Sequence, residues 1–317
     1  MKSLTLNEGV EMKKSNFFLL VSLLFPLITY TKILIITHSY NRPEFIEIQY
    51  KTFKHFLQDE YEFVVFNDAN TAEMFRRITA MCNHYHIRSI AIPQEIHDRP
   101  YLPRAAGDPY HRPNIRHANV LQYSLDVLGF DFDGIVAIVD SDLFLVKPMS
   151  ISELMVGCDI VSVQRGAPGG ITCMWPGIVF LKMDTLPDKK TLNFNCGLIG
   201  KHSVDSGGWT HYYLSQHPAL RIKWVNELQG GRLFCPDRFD AVSSATTIEQ
   251  EIASLRTMGF DDNQIQFLQK KPDTIGFVCD GHFLHYRAGT NYDNQSDEYL
   301  MRKRDMINAY LNLILQQ

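Results

Sequence analysis

No two of the six cysteines (Cys82, Cys158, Cys173, Cys196, Cys235 and Cys279) stand at a Cys-x-x-Cys spacing. That absence removes a zinc-thiolate centre and a dense disulfide framework. Several of them lie inside apolar runs, where a free cysteine packs as a small hydrophobe, so they read as mostly reduced and structural. An excess of positive charge is also missing: 35 acidic against 31 basic side chains leave a net charge of -4. Nucleic acid is thereby set aside as the main partner, because phosphate binding needs a basic surface. A local basic pocket for a diphosphate is still compatible with that balance. Internal repeats and low-complexity linkers are absent as well, so nothing divides the chain into an array.

What is present is ordinary globular composition, 45% hydrophobic and 21% charged over 317 residues, long for one domain and short for two. The unusual segment is N-terminal. An apolar run from Phe17 to Tyr30 follows Lys13 and Lys14; read from Met12, it has the basic and apolar parts of a secretory signal. Pro26 breaks it, and it is short of the roughly 20 residues of a spanning helix. No clear small-x-small cleavage site follows, and a strand-like run, Ile33 to Thr37, begins almost at once. Residues 1–31 are therefore expected to form a hydrophobic signal- or anchor-like segment that makes the protein membrane-associated or exported. The alternative is an apolar extension packed on the domain or on a membrane surface, with a cytoplasmic location. Residues 32–317 are expected to form a single domain.

From Lys32 onward short apolar runs alternate with helical stripes. Lys32 to Thr37 reads as a buried first strand, and Pro43 opens a helix with Ile46, Tyr50, Phe53 and Leu57 on one face. Glu62 to Phe66 is a second strand ending in Asn67-Asp68. Thr71 caps a helix carrying Phe75, Ile78, Cys82 and Tyr85 on one side. Ile87 to Ile92 is a third strand, and Pro93 to Pro113 a long polar loop of the kind that serves as a lid or binding loop. Asn114 caps a helix with Ala118, Leu121, Leu125 and Leu128 in its stripe. It leads into Gly134-Ile-Val-Ala-Ile-Val-Asp140, an apolar strand suited to the middle of a parallel sheet. Beyond Lys147 a short helix at Ser152, a strand from Asp159 to Val163 and glycine-rich loops follow. Asp297 to Leu315 reads as a closing amphipathic helix. The fold class is α/β, with a doubly wound, mostly parallel sheet flanked by helices.

The chemistry centres on Val139-Asp140-Ser141-Asp142-Leu143-Phe144. Ligands of parallel sheets bind beyond the carboxyl ends of the strands. Two carboxylates one residue apart at such an end can reach a hard divalent cation that keeps oxygen ligands and substrate phosphates. Alone the pair also suits a solvated turn; its place, mid-chain between two apolar runs, favours the metal.

An apolar strand, DxD and apolar run after an N-terminal α/β half resembles the GT-A fold of nucleotide-sugar glycosyltransferases, a Rossmann-like sheet, over roughly Lys32 to Asn291. Trp175-Pro-Gly177-Ile-Val-Phe and Phe194-Asn-Cys-Gly-Leu-Ile resemble the segments that line the sugar side of such sites. Val204-Asp205-Ser206-Gly207-Gly208 is similar to the Asp-x-Gly-Gly element near the transferred sugar. His282-Phe-Leu-His285-Tyr-Arg287-Ala-Gly289 resembles, distantly, the glycogenin-like end in which a histidine completes the metal site. The resemblance implies Asp140, Asp142 and His285 as ligands of manganese or magnesium, with Ser141 between them. It implies Arg287 and Gly289 at the diphosphate of a UDP- or GDP-sugar, and Trp175, Gly177, Gly207 and Gly208 around the donor. Asp205 is then the catalytic candidate, as base for the acceptor hydroxyl or as a group orienting the donor; a plain Gly-Gly turn is the bland alternative. Thr37, Asn41, Arg42 and Asp68 are placed at the nucleotide base or ribose, with a simple strand-end turn as the alternative for Asp68; Arg116 and Asn119 lie on the helix before the DxD strand, facing either the donor or solvent. If the segment holding His282 and His285 is a strand, the two point to opposite faces, and His285 is taken as the ligand.

The implied partners are a nucleotide-sugar donor and a glycan, lipid or protein acceptor. A non-catalytic nucleotide- or carbohydrate-binding module of the same fold is the competing class. A nucleotidyltransferase ranks below it, because His38-Ser-Tyr-Asn-Arg-Pro43 after the first strand contains no glycine. A haloacid-dehalogenase-type phosphatase fails on position, since its DxD would follow the first strand.

Overall fold

The computed structural model describes residues 31–98, 112–228, 248–270 and 276–286, with 301, 305 and 307–313. The chain divides into two units at Thr31 and Lys32, and the elements below belong to the second. Arg287 and Gly289, most of the 93–113 stretch, Cys235 and the N-terminal run lie outside the described residues.

Alternating helix and strand periods give a layered α/β arrangement. Strand β1 (Ile33–Ser39) pairs in parallel with β2 (Tyr61–Asn67) and with β4 (Ile135–Val139). β2 in turn pairs with β3 (Arg88–Ala91). On the other side of β4 come β7 (Ile171–Lys182), β6 (Ile160–Ala167) and β10 (Ile222–Trp224), giving the order β10-β6-β7-β4-β1-β2-β3. Only β7 runs against the rest. The sheet is thus mostly parallel, as expected. Both faces are covered, because Ile33 and Ile35 enter one buried cluster while Leu34 and Ile36 enter another. All five residues of β4 are buried, and each of its isoleucine and valine side chains stabilises the fold by about 1.5–3 kcal/mol.

A second, antiparallel sheet of four strands has the order β11-β12-β13-β5, formed by Glu227–Leu228, Gly276–Val278, Phe283–His285 and Leu143–Leu145. It was not expected from the sequence, where strands of two or three residues are too short to show a period. Three residues separate the end of β4 from the start of β5, so Asp140-Ser141-Asp142 is the turn that carries the chain from one sheet into the other.

Several boundaries differ from expectation. In the helix Pro43–Phe56 the buried face is Phe45, Ile46, Gln49, Thr52, Phe53 and Phe56. Tyr50 flanks it, and Leu57 lies past its end in a bridge to Met149. Thr71 does cap the helix Ala72–His84, accepting from the Met74 amide, but Phe75 is 40% exposed and lines a cleft instead. Asn114 is inside the helix Arg112–Ser124 rather than at its cap, and that helix ends in a π turn, Leu125–Gly129. A short helix, Gln94–Asp98, occupies the start of the supposed loop. Ser150, not Ser152, caps the helix Ile151–Leu154. Helices Ile248–Thr257 and Asp262–Lys270 fill a region the sequence left without elements, and residues 307–313 are helical. Cys82, Cys158, Cys173, Cys196 and Cys279 are free thiols. Among the described residues no helix is long and apolar enough to cross a membrane.

Candidate functional site

The carboxylate turn is held by backbone on three sides. The Asp140 amide donates to the Gly177 carbonyl at 2.8 Å, and the Leu143 amide closes the turn onto the Asp140 carbonyl at 3.0 Å. The Tyr286 amide donates to the Asp142 carbonyl at 2.8 Å, which ties β13 to the turn. From below, the wholly buried Gln49 donates to the carbonyls of Asp140 and Leu143. Ser141 and Asp142 are buried at 2% and 6% exposure, whereas the Asp140 side chain keeps a quarter of its surface.

β13 lies antiparallel to β5 with His285 opposite Leu143, so His285 reaches the turn from the second sheet. Its Nε2 is 3.8 Å from Asp142 Oδ1. His282, three residues earlier, turns its Nδ1 to the Cys279 carbonyl at 2.6 Å, within its own hairpin. Trp175 covers His285 with ring centroids 5.0 Å apart, and Gly177 is needed because a Cβ there would run into the Trp175 indole.

His117 is a member of the site that the sequence reading missed. Its Nε2 is 3.3 Å from Asp140 Oδ1, and its Nδ1 is 3.3 Å from Ser206 Oγ, so it joins the carboxylate turn to the Asp205 loop. Burial works against its charged form, but the nearby carboxylates of Asp140, Asp205 and Asp142 outweigh it and hold the imidazole up at about 9. Reciprocally, Asp140 is held below the usual carboxylate range: burial opposes this, and His117, His38 and His285 overcome it. His38, buried at the end of β1 against Ser124 Oγ at 2.9 Å, is pushed down to about 4 by desolvation and by the neighbouring His117. A faint signal for His117 exists in the sequence: it stands four residues before Leu121 and seven before Ser124, both wholly buried, and so shares their face of the helix.

Asp205 is exposed, with Oδ1 accepting from the Ser206 amide at 2.7 Å. Gly207 (φ +83°) and Gly208 then turn the loop back. At Gly207 a Cβ would strike the Met174 carbonyl, and at Gly208 the Val204 side chain.

Of the remaining sequence candidates, Arg116 and Asp68 are brought together, and the others have separate partners. Arg116 grips Asp68 through both carboxylate oxygens and the main-chain carbonyl, and His97 Nε2 is 2.9 Å from Oδ1. The Arg116 guanidinium also lies over the Tyr40 ring at 4.6 Å. Asn119 is wholly buried and donates to the Ile96 carbonyl. Arg42 pairs with Glu44 and covers Phe45. Asn41, with φ 55°, accepts from the Asn70 amide, while Thr37 is wholly buried. A cleft of about 440 Å³ opens at the ends of β2 and β3, lined by Asn67, Asn70, Thr71, Gln94 and His97 among others, beside this cluster and not over Asp140.

Among the described residues no group of three or more histidine, cysteine, aspartate or glutamate side chains is gathered tightly enough to hold a metal. The pair Asp142–His285 fits one nonetheless. Oxygen and nitrogen 3.8 Å apart are too far for a hydrogen bond, yet one ion about 2.1 Å from each spans that gap.

No family model and no curated protein sequence matches the chain. Among solved structures it is similar to the bifunctional glycosyltransferase WbbM at 10% identity and TM-score 0.42, covering 89% of this chain and 53% of that one. It is similar to the galactosyltransferase LgtC, in complex with donor and acceptor sugar analogues, at 12% and 0.41, covering 87% and 95%. The mannosyltransferase PcManGT from Pyrobaculum calidifontis, in complex with GDP-Man and Mn2+, follows at 13% and 0.37, covering 66% and 61%. The chain thus spans about half the length of the first of these. The functional reading rests on the side chains described above, not on these likenesses.

Proposed function

We propose that this chain is a metal-dependent glycosyltransferase that moves a sugar from a nucleoside-diphosphate donor to an acceptor hydroxyl. The observation that supports it most is the buried Asp140-Ser141-Asp142 turn at the carboxyl end of β4, met by His285 from the second sheet. Asp142 and His285 would hold a manganese or magnesium ion, and Asp140 would join them if the ion draws its side chain in. That ion, when bound, neutralises the charge that grows on a departing diphosphate.

The chain's own residues supply the rest. Gln49 and Gly177 keep the turn in place. Asp205, exposed on a loop joined to Asp140 through His117 and Ser206, suits an oxocarbenium-like centre, as base for the acceptor or as orienter of the donor. Trp175, Gly177, Gly207 and Gly208 border the donor sugar. Thr37, Asn41, Arg42, Asp68, Arg116 and Asn119 are assigned to the side of the base and ribose. Arg287 and Gly289 are assigned to the diphosphate.

The test is nucleoside-diphosphate release by the full chain from a panel of UDP- and GDP-sugars, with Mn2+, with Mg2+ and with chelator, beside Asp142→Ala. Metal-dependent release of one nucleotide that the substitution abolishes supports the reading and names the donor. If no donor is turned over and calorimetry finds no metal-dependent nucleotide binding, the reading is lost. A non-catalytic binding module then becomes the better account.

A further inference from the structure

Glu227 and His285 share one face of the four-stranded sheet. Glu227 stands opposite Val278, and Val278 opposite Phe283. Directly opposed residues share a face, as do residues two apart on one strand, so the face that carries Glu227 and Phe283 also carries His285. Both side chains are buried, at 6% and 11% exposure. Glu227 Oε2 pairs with Arg165 Nη2 from β6. Its other oxygen, Oε1, lies 3.9 Å from His285 Nδ1, and neither of these two atoms has a hydrogen-bond partner among the described residues. The Arg165 guanidinium lies 5.2 Å from the centre of the Trp175 ring, and that ring packs on His285.

Two buried polar atoms that face each other unpaired cost free energy, and a shift of under about 1 Å turns the pair into a hydrogen bond. Carboxylate oxygen only accepts, so Nδ1 must then carry the proton, and Nε2 of a neutral ring is left with its lone pair. Nε2 lies 3.8 Å from Asp142 Oδ1. Two electron-rich atoms held together in a buried place repel unless a cation lies between them.

We propose that Glu227 is a positioning residue: it accepts a hydrogen bond from His285 Nδ1, fixes that tautomer, and thereby presents Nε2 toward Asp142 as a metal ligand. The inference rests on the metal reading above. Arg165 neutralises the oxygen that Glu227 does not give to the histidine, and Trp175 sets the plane of the ring. Buried carboxylate partners of this kind orient ligating histidines and raise their basicity.

The test uses the full chain as wild type, Glu227→Gln, Glu227→Ala and His285→Ala. Mn2+ affinity is measured by calorimetry, and the His285 tautomer by 15N spectra of histidine-labelled, metal-free protein, assigned by its loss in His285→Ala. The expected result is an Nδ1–H ring in the wild type and about a 10–100-fold loss of Mn2+ affinity in Glu227→Ala, with the tautomer shifted. Glu227→Gln, whose side-chain oxygen still accepts, should keep the tautomer and lose less; it also serves if the alanine variant fails to fold. An Nε2–H ring in the wild type, or unchanged affinity and tautomer in both Glu227 variants while His285→Ala binds weakly, overturns the role of Glu227 alone. A wild type that binds no Mn2+ overturns the metal reading, and this inference with it.

Discussion

Gln49 donates two hydrogen bonds across the domain, to the carbonyl of Asp140 at 2.8 Å and to that of Leu143 at 3.1 Å. A side chain on the first helix thus fixes the turn that presents both carboxylates. Replacing it by leucine leaves the Leu143 carbonyl without this donor, while the Asp140 carbonyl keeps the Leu143 amide. We predict that Gln49→Leu lowers stability by about 1–3 kcal/mol, the cost of one buried polar group left unsatisfied, measured by urea denaturation. It should also weaken Mn2+ binding at temperatures where the variant is still folded. Unchanged metal affinity in a folded variant would show that Gln49 serves the fold only.

Arg116 and Asp68 give the second expectation. A carboxylate gripped on both oxygens by arginine and histidine leaves little capacity for a ribose, so the pair reads as a structural strut. Breaking a buried ion pair by removing one partner typically costs about 3–5 kcal/mol. With Arg116 16% exposed, Arg116→Ala should fall toward the lower part of that range, with Arg116→Lys between the two, since lysine cannot reproduce the fork. Denaturant titration checks this. Loss of nucleotide affinity at unchanged stability would make Arg116 a ligand contact instead.

The central sheet was legible because β1, β2 and β4 are uninterrupted apolar runs that only burial on both faces explains, as their wholly buried centres show. The antiparallel sheet was not: β5, β12 and β13 have three residues each, and β5 finds its partner β13 about 140 residues further along the chain. The same limit applies to the site. Asp140 and Asp142 announce themselves as a motif, whereas His117 and Glu227 matter through neighbours that only the fold supplies. Gln49 was readable in hindsight as a polar residue three after Ile46 and four before Phe53, inside an apolar stripe. Arg116 and Asp68 were both singled out, but their mutual grip was not, because 48 positions separate them.

Asp159 sets an acid limit. The Arg221 side chain, helped by its backbone amide and opposed by burial, holds this carboxyl well below the usual range. A group whose folded value is depressed stabilises the fold above its unfolded value, about 3.9. That contribution is lost as pH falls through the folded value. Stability measured by denaturant from pH 6 downward should therefore fall below about pH 4, and more shallowly in Asp159→Asn, which should already be weaker at neutral pH. Identical acid limbs in the two proteins would remove Asp159 as a cause.

Two glycines separate backbone strain from site geometry. Gly200 has φ +59° with open space where a Cβ would stand, while Gly207 has φ +83° and the Met174 carbonyl in that place, with Pro176 Cδ at 2.9 Å. The left-handed conformation alone costs an ordinary residue about 1–2 kcal/mol, so Gly200→Ala should lose roughly that and no activity. Gly207→Ala cannot keep its backbone. Its amide holds the Phe194 carbonyl at 2.7 Å, and the Gly208 amide closes the turn onto Asp205 at 2.8 Å, so relief of the clash must move Asp205 relative to Asp140. The expected outcome is a larger fall in melting temperature than for Gly200→Ala, and loss of donor turnover in the protein that remains folded, with Mn2+ affinity retained. Retained turnover in Gly207→Ala would mean that the Asp205 loop does not border the reacting sugar, and the catalytic assignment of Asp205 would fall with it.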